Sequence, residues 1–420
     1  MINHPEEFLR DLFACAVKTA DPMLRIPDAL PPKPEGRVLV IGAGKASARM
    51  AEAVEAIWGP CEGVVITRYG YSRPCQGIEI VEAAHPVPNE NGANATRRML
   101  DLLRSLGPDD FVLALISGGG SALLTSPAGD ISNAEKQQIN AALLASGAPI
   151  DQMNIVRKHL SRVKGGQLAA AAYPAQMLAL MISDVPGDDP ASIASGPTVG
   201  DNSTAAQALA ILQEYNIQVP ASVKSMLAAK TEVLVQDDEA LSRVENRIIA
   251  APSQSLAAAA EMAREHELET RIIGDAIEGE ARDLGEEQAR LALRIQSEMA
   301  EGTMPVLLLS GGECTVTRTG DGSGGPNAEY ALSAAITLDG ADNIHLIACD
   351  TDGVDGAAEV AGAIIGPQSL IKAKDAGLDA EDYLARNDSH SFFAAIKYQV
   401  VTGPTFTNVN DFRAILILPN

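Results

Sequence analysis

The sequence contains few cysteines and no long apolar run. Its five cysteines in 420 residues include no Cys-x-x-Cys pair, which disfavours a disulfide framework and a standard zinc site and favours a reducing compartment. No run of about 18 apolar residues occurs, and the first residues lack a basic start followed by an apolar core. We therefore expect a cytoplasmic protein without a membrane span or an export signal.

Positive charge is scarce as well. Lys and Arg total 32 against 55 Asp and Glu, so the formal net charge is −23. A surface of that sign repels phosphate backbones and anionic lipids, which argues against nucleic acids and membranes as partners. An anionic substrate would need a local cluster of donors that outweighs this field.

Short apolar runs alternate with longer helical stretches, such as residues 89–106, 255–267 and 280–299. Nearly continuous apolar runs are typical of strands covered on both faces, so the pattern predicts an α/β fold with a largely parallel sheet. The length favours two domains. The polar segment 230–246 suggests a boundary that gives domains of 1–235 and 236–420. The predicted strands are residues 38–41, 64–67, 111–116, 178–183, 248–250, 272–274, 306–310 and 344–349.

A glycine loop follows the predicted strand 111–116. It reads Ser117, Gly118, Gly119, Gly120, Ser121 and precedes a possible helix start. Glycines let backbone N–H groups approach an anion, and a helix N-terminus favours negative charge. A tight turn that needs positive φ is the alternative, and we favour phosphate binding because three glycines exceed that need.

A second glycine turn, VLVIGAGK, ends in Lys45. It departs from the dinucleotide fingerprint at Ser47, and from the P-loop at Leu39 and Ala46. What remains is a lysine after Gly42 and Gly44 at the carboxyl end of a strand, where α/β sheets bind ligands. We expect Lys45 to contact phosphate.

Two acidic turns also follow predicted strands. One carries Asp350, Asp352 and Asp355, and the other carries Asp184 and Asp189. Residue Ala361 stands where an EF-hand needs Glu, so Mg²⁺ held by one or two carboxylates and substrate phosphates is the better reading. A helix-capping turn is the alternative for Asp355. Together the loops indicate phosphoryl transfer.

Other polar residues give weaker signals. A serine hydrolase is disfavoured because Ser117 and Ser121 lie outside a Gly-x-Ser-x-Gly motif. His85 lies between prolines and reads as either a ligand-facing or a loop residue, with the loop reading slightly preferred. The cations of residues 157–164 could neutralise a carboxylate or phosphate, although for most of them a solvated helix face is expected.

With these residues in view, the chain resembles class II glycerate kinases, the glycerate 2-kinase group whose carboxyl-terminal domain is called MOFRL and whose older name is hydroxypyruvate reductase. The resemblance spans nearly the whole chain. It rests on VIGAGKAS (40–47), HPVPNENG (85–92), ISGGGSALL (116–124), RKHLSRVKGGQLA (157–169), SDVPGDDPASIASGPT (183–198), SGGECTV (310–316), CDTDGVDG (349–356) and VTGPTFTNVNDFRA (401–414).

The resemblance implies ATP-dependent phosphorylation of D-glycerate at the 2-hydroxyl, with Mg²⁺. It also implies a Rossmann-like amino-terminal domain, a smaller carboxyl-terminal domain and an active site in the cleft between them. Many members carry Gly-Gly-Arg-Asn-Gln-Glu where this chain has GGPNAE, so Pro326 replaces an arginine. Either another cation such as Arg157 meets that charge or nucleotide handling differs.

The residues and the resemblance together predict three sets of site residues. The expected catalytic residues are Lys45, Asp184 and Asp189, and the expected metal ligands are Asp350 and Asp352. The expected substrate- and nucleotide-binding residues are Gly42, Gly44, Ser117, Gly118, Gly119, Gly120, Ser121, Arg157, Glu313, Asn327 and Asn408, of which Glu313, Asn327 and Asn408 rest on the family motifs.

Two other functions stay open. One is an NAD(P)-dependent hydroxypyruvate reductase, which the Gly-x-Gly turn and the older name favour. Ser47 disfavours it, and so does the lack of an acidic residue after the second strand, which ends at Arg68. A sensor that binds the same ligands without turnover has no DNA-binding element to support it. The oligomeric state is open, with a homodimer among the options.

Overall fold

The computed structural model describes residues 2–229, 231–300 and 302–419, which form two compact units. The amino-terminal unit comprises Pro22–Ser183 and Asp188–Ile249. The carboxyl-terminal unit comprises residues 2–21, Asp184–Gly187 and residues 250–419. Within the described ranges, no helix is both long enough and apolar enough to cross a membrane.

The amino-terminal unit is built on a sheet of six strands among the described residues, in the order β3-β2-β1-β4-β5-β6. Strands β1 to β5 pair in parallel, which confirms the largely parallel sheet predicted for this half of the chain. The strands are β1 (Val38–Ala43), β2 (Glu62–Arg68), β3 (Ile78–Ala83), β4 (Phe111–Ile116), β5 (Gln176–Ile182) and β6 (Val244–Ala250).

The helices of this unit are α2 (Pro22–Ala29), α3 (Ser47–Trp58), α4 (Glu90–Leu103), α5 (Gly120–Leu123), α6 (Asn133–Ala145), α7 (Ile150–His159), α8 (Gln167–Ala170), α9 (Ala205–Glu214) and α10 (Ala221–Ala228). Helices α4, α6 and α9 begin at a residue whose side chain caps the first turn. Asn89 accepts a hydrogen bond from Gly92 N–H at the start of one helix, and Ser132 with Glu135 forms a capping box at another.

The division into units differs from the boundary expected at residues 235–236. Strand β6 was expected to open the second domain, but it joins the first sheet, so the amino-terminal unit runs on to Ile249. Lys230, the first residue of the expected boundary segment, lies outside the described residues. The domain limits proposed from the sequence stay a prediction.

The carboxyl-terminal unit has a second sheet, in the order β11-β10-β9-β12-β8-β7. Only β7 and β8 are parallel among its described pairs, so the largely parallel sheet belongs to the amino-terminal unit and this second sheet is mixed. Continuous apolar character reports burial on both faces and not strand direction. The strands are β7 (Glu269–Glu280), β8 (Val306–Thr315), β9 (Ile344–Asp350), β10 (Gly362–Ile365), β11 (Gln399–Val400) and β12 (Asp411–Ile417).

The first helix of the chain, α1 (Pro5–Thr19), packs in this carboxyl-terminal unit. Its apolar face, which includes Leu9 and Phe13, belongs to the same core as Leu256 and Phe412. Ser255 Oγ donates a hydrogen bond of 2.8 Å to the Ala16 carbonyl. The other helices are α11 (Pro252–Glu265), α12 (Ala281–Glu298), α13 (Pro326–Leu338), α14 (Ser369–Asp375), α15 (Ala380–Ala385) and α16 (Ser389–Ile396).

Candidate active site

The two glycine turns meet at the carboxyl edge of the first sheet. Strands β1 and β4 are neighbours in parallel register, with Ala43 opposite Ile116, so the residues that follow them leave the sheet side by side. The strand order changes direction here, because β2 and β3 extend from one side of β1 and β4 to β6 from the other. Such a switch point is where open α/β sheets bind ligands.

Ser117 holds the two turns together. Its side chain is fully buried, its Oγ accepts a hydrogen bond of 3.0 Å from Ala46 N–H, and it lies 3.1 Å from Ser47 Oγ. A Cβ on Gly44, whose φ is +146°, would lie 2.0 Å from Ser117 Oγ, and one on Gly42 would lie 2.5 Å from the Leu115 carbonyl oxygen. These contacts pack the two turns against each other, and the expected ligand contacts of Ser117, Gly42 and Gly44 stay a prediction.

Lys45, Gly118, Gly119 and His85 lie together beside this junction. Lys45 N–H donates to the Gly118 carbonyl at 2.8 Å. A Cβ on Gly119 would lie 3.1 Å from His85 Nε2 and 3.3 Å from Lys45 Cγ. In the described part of the chain, the N–H groups of Gly118 and Gly119 make no hydrogen bond, so both can bind an anion.

A buried lysine, Lys164, holds the end of the glycine loop through hydrogen bonds to Ser121. A Cβ on Gly120 would lie 2.8 Å from both the Ala43 carbonyl oxygen and Ala194 Cβ. Lys164 Nζ donates to the Ser121 carbonyl at 2.8 Å and to Ser121 Oγ at 2.9 Å. The side chain of Lys164 is 1% exposed, and burial holds its pKa well below the ordinary value. Sequence reasoning missed this role, because no local pattern distinguishes a buried lysine from an exposed one.

The cations of residues 157–164 do not form the solvated helix face that was expected for most of them. Lys158 and Lys164 are buried, and Lys158 forms an ion pair with Asp201. Arg157 is partly buried, donates to Asn154 Oδ1 at 3.3 Å and has its pKa lowered by burial. It lines a cavity of about 420 Å³ together with His85, Gly119 and Ser121. Arg157 thus lies beside the glycine loop, and the expectation of a mainly solvated face was wrong because α7 packs into the core of the unit.

A polar cluster forms in the carboxyl-terminal unit around Asp184. Asn408 Nδ2 donates to Asp184 Oδ2 and Asn410 Nδ2 donates to the Asp184 carbonyl, each at 3.0 Å. The Asn410 carbonyl in turn accepts hydrogen bonds from Thr351 N–H at 3.1 Å and from Thr351 Oγ1 at 2.7 Å. Asp184 and Asn408 are therefore brought next to the turn that carries Asp350 and Asp352.

Asp350 and Asp352 are partly engaged by their own turn. Asp350 Oδ1 accepts from Asp352 N–H at 2.9 Å, and Asp352 Oδ1 accepts from Val354 N–H at 2.7 Å. Asp352 is fully buried, whereas Asp350 is partly exposed. No group of three His, Cys, Asp or Glu side chains suited to a metal occurs among the described residues. Mg²⁺ needs only one or two carboxylates besides phosphate and water, so Asp350 and Asp352 as its ligands stay a prediction.

Asp189 lies in the amino-terminal unit and is exposed. Its Oδ1 accepts from Ala191 N–H at 3.0 Å, and its Oδ2 accepts from Ser192 Oγ at 3.3 Å. The structure thus places the two expected catalytic aspartates in different units and gives Asp189 local turn partners.

Asn327 and Asp355 stabilise the start of α13. Asp355 accepts backbone hydrogen bonds from Asn327 and Ala328, each at 2.9 Å, which caps this helix and bears out the capping alternative. Burial raises the pKa of Asp355 to about 7. Asn327 is buried and donates to Asp411 Oδ1 at 2.6 Å, and Pro326 occupies the first turn of the helix. Glu313 lies exposed on β8.

Arg413 is a buried cation near Asp411, and sequence reasoning did not identify it. Its Nη2 donates to Asp411 Oδ2 at 2.5 Å, and its guanidinium lies 5.4 Å from the centre of the Tyr330 ring. Its Nε and Nη1 have no hydrogen-bond partner among the residues that the structure describes. A single arginine on an apolar strand gives no sequence signal of this kind.

Comparison with known proteins matches the chain to two families. Residues 8–228 match a domain of unknown function, DUF4147, and residues 306–411 match the MOFRL family. A Thermotoga maritima D-glycerate 2-kinase is 39% identical over 96% of this chain and 96% of its own. An Agrobacterium vitis protein with the provisional name hydroxypyruvate reductase is 50% identical over 98% of this chain and 94% of its own.

A solved structure agrees with these matches. The crystal structure of a glycerate kinase from Thermotoga maritima aligns with a TM-score of 0.87 and 38% identity, over 98% of this chain and 99% of that chain. The fold and the sequence together define an α/β phosphotransferase family. The chain belongs to the class II glycerate kinases, which carry a carboxyl-terminal MOFRL domain.

Proposed function

We propose that this protein transfers the γ-phosphoryl group of ATP to the 2-hydroxyl of D-glycerate, giving 2-phosphoglycerate and ADP with the help of Mg²⁺. The observation that carries the proposal is the position of Lys45 beside Gly118 and Gly119, whose N–H groups make no hydrogen bond in the described structure, at the switch point of the first sheet. The choice of D-glycerate and of its 2-hydroxyl rests on the named activity of the Thermotoga maritima relative.

Lys45 and the glycine loop neutralise charge on the transferred group. The bond from the γ-phosphorus to the β–γ bridging oxygen breaks, and a bond to the acceptor oxygen forms, while negative charge spreads over the remaining phosphoryl oxygens. A lysine ammonium and two fixed N–H groups can stabilise that charge without rearrangement during the step. Positioning matters more than a strong base in such a loose transition state.

The aspartates of the polar cluster around Asp184 are the candidate metal ligands and proton acceptors in this proposal. Asp184 and Asp350 would hold Mg²⁺, which when bound neutralises phosphate charge, and Asp352 supports the turn from its buried position. Asn408 orients Asp184 through its hydrogen bond. A carboxylate of this cluster takes the hydroxyl proton late in the step. The proposal assigns no step to Asp189, whose catalytic role stays a prediction.

Hydroxypyruvate reduction is the second candidate, because the strand order of the first sheet is that of dinucleotide-binding folds. Two contacts weigh against it. Ser47 occupies the place of the third glycine and lies 3.1 Å from Ser117 Oγ. Strand β2 ends at Arg68, which stacks 4.6 Å above the Tyr71 ring, and Glu82, the acidic residue beside this strand end, accepts hydrogen bonds from Gly70 N–H at 2.7 Å and Ser72 N–H at 3.3 Å.

One assay separates the two candidates. Purified protein is incubated with D-glycerate, ATP and Mg²⁺, ADP is followed by a coupled reaction, and the product is identified by phosphorus NMR. A parallel sample receives hydroxypyruvate with NADH or NADPH. We expect ADP and 2-phosphoglycerate in the first sample and no cofactor oxidation in the second. Turnover of hydroxypyruvate alone would refute the kinase proposal, and 3-phosphoglycerate as product would refute the choice of hydroxyl.

A further inference from the structure

A group of buried cations lies beside the glycine loop of the amino-terminal unit. Lys136 on α6 is 5% exposed, Lys164 is 1% exposed, and Arg157 on α7 is partly exposed. None of the three forms an ion pair with a carboxylate in the part of the chain that the structure describes. Burying like charges together is costly unless an anion neutralises them.

Lys136 has the least satisfied side chain of the three. Its Nζ is buried and has no hydrogen-bond partner among the described residues. It lines a cavity of about 340 Å³ together with Asn89, Thr125 and Asn140. Glu90 also lines this cavity, but it is exposed and forms no ion pair with Lys136 in the described structure. An unpaired buried ammonium destabilises the fold unless an anion compensates it.

A second cavity adjoins the first along α6. Pro88, Gln137 and Asn140 line both cavities, and Gln137 Nε2 donates to the Pro88 carbonyl at 2.6 Å. Arg157 and Gly119 line the second cavity, whose volume is about 420 Å³. The two cations therefore line adjoining cavities, and one of these cavities reaches the loop that we assign to phosphate.

The cations also affect one another. Burial and the nearby Arg157 lower the pKa of Lys136 to about 8. Burial and then the charges of Lys136, Arg157 and Lys158 lower the pKa of Lys164. A bound carboxylate would relieve this repulsion, because an opposite charge within a few ångströms favours the charged form of a lysine.

We propose that Lys136 and Arg157 bind the carboxylate group of the hydroxy acid acceptor. This inference rests on the proposed kinase function. Lys45 and the Gly118 and Gly119 N–H groups already serve the phosphoryl group, and the acceptor must lie next to it for transfer to occur. The side-chain amides of Gln137 and Asn140 provide donors and acceptors for the hydroxyl groups of the same small molecule.

The test compares Lys136→Met with the wild-type enzyme. The substitution removes the charge and keeps the length of the side chain. We expect the KM for D-glycerate to rise at least tenfold, while the KM for ATP stays within about twofold. Arg157→Met should act in the same direction, and Lys136→Arg should restore part of the affinity. Lys224→Met, which removes an exposed lysine of the same unit, is the matched control and should leave both KM values unchanged.

Three results would overturn the proposal. A rise in the KM for ATP alone would assign the cations to nucleotide phosphate. Unchanged KM values in a folded variant would show that Lys136 contacts neither substrate. A variant with a lowered Tm and unchanged KM values, reproduced by Glu90→Gln, would show that Lys136 pairs with Glu90 for stability. Lys136→Gln serves as the second variant if Lys136→Met does not fold.

Calorimetry without ATP separates this proposal from the kinase assignment. D-glycerate is titrated into wild-type protein and into Lys136→Met. We expect binding to the wild type and at least tenfold weaker binding to the variant. Glycerate binding that is lost in the variant while the wild type forms no ADP would refute the kinase function and leave the carboxylate site standing. ADP formation with equal glycerate binding by both proteins would refute the site and leave the kinase standing.

Discussion

Ser117 Oγ occupies the space that a side chain at position 44 would need, since a Cβ on Gly44 would lie 2.0 Å from it. The same hydroxyl contacts Ala46 and Ser47. The contacts of Ser117 Oγ therefore hold the turn that carries Lys45 against the glycine loop. The candidate phosphate site therefore depends on close backbone packing as much as on its charged side chain.

Gly44→Ala should destabilise the protein strongly. Both the positive φ and the clash oppose the new methyl group, and we expect a loss of about 2–5 kcal/mol in the free energy of unfolding. Gly59→Ala is the matched control, because Gly59 has a φ of +72° but nothing within 4 Å of its Cβ position. The control should lose about 1 kcal/mol in urea unfolding. Equal losses in the two variants would show that the approach to Ser117 imposes no constraint.

Lys45→Met should lower turnover without unfolding the protein. If the ammonium faces the transferring phosphoryl group, its loss raises the barrier by a few kcal/mol, or roughly a hundredfold or more in kcat. Steady-state kinetics with D-glycerate and ATP, together with Tm, measure both effects. Lys224→Met serves again as the control. Near-normal kcat in a folded Lys45→Met enzyme would remove Lys45 from the mechanism.

Asp184→Asn should lower kcat by roughly tenfold to a thousandfold and raise the Mg²⁺ concentration needed for half-maximal rate. The amide keeps the shape and can still accept the Asn408 hydrogen bond, so the variant reports the loss of charge. Asp379→Asn, at the exposed N-cap of α15, is the control in the same unit. An unchanged Mg²⁺ dependence would assign Asp184 to positioning alone. Asp189→Asn, which can keep its turn hydrogen bonds, tests the sequence prediction for that residue in the same assay.

The unfavourable contribution of Lys136 to the stability of the free enzyme should diminish as the pH rises from about 8 to 10.5. The pKa of Lys136 is about 8 in the folded protein and about 10.5 in the unfolded chain, so in this window the unfolded state binds more protons. The gain is at most about 3 kcal/mol. Arg157 and Glu90 are the other charged groups near this lysine.

The matching measurement is Tm against pH for wild type and Lys136→Met without substrate. The variant should be the more stable of the two at pH 7, because it buries no unpaired charge, and this difference in Tm should shrink as the pH rises from about 8 to 10.5. Parallel curves for the two proteins would show that Lys136 keeps an ordinary pKa in the fold.

Local sequence patterns predicted the elements that are apolar throughout. Residues 111–116 are an example, since β4 has these same limits. Strand β3 was missed because IEIVEA alternates polar and apolar residues at the edge of the sheet, and β12 because its arginine interrupts an apolar run. The glycine loops were found because β-strand ends and glycines are local signals.

Burial of single polar residues could not be predicted in this way. Lys136, Lys164 and Arg413 are buried by segments distant in the sequence, and a lysine on an amphipathic helix ordinarily reads as exposed. The contact between Asp184 and Asn408 likewise joins residues more than two hundred positions apart, so only tertiary structure reveals it. The resemblance to glycerate kinases identified Asn408 as a site residue through a motif, but it did not predict that Asn408 contacts Asp184.

The location of helix α1 has a consequence for synthesis on the ribosome. The helix emerges first, yet its apolar face packs against α11 and β12, which are made only after the whole first sheet. Residues 22–249 can complete the first sheet before α1 has its packing partners. Until then, Leu9, Leu12 and Phe13 are exposed to solvent. A truncated gene that starts at residue 250 would encode a polypeptide with an open groove over Leu256, so recombinant production of that half alone calls for the leading helix to be supplied as a fused or co-expressed segment.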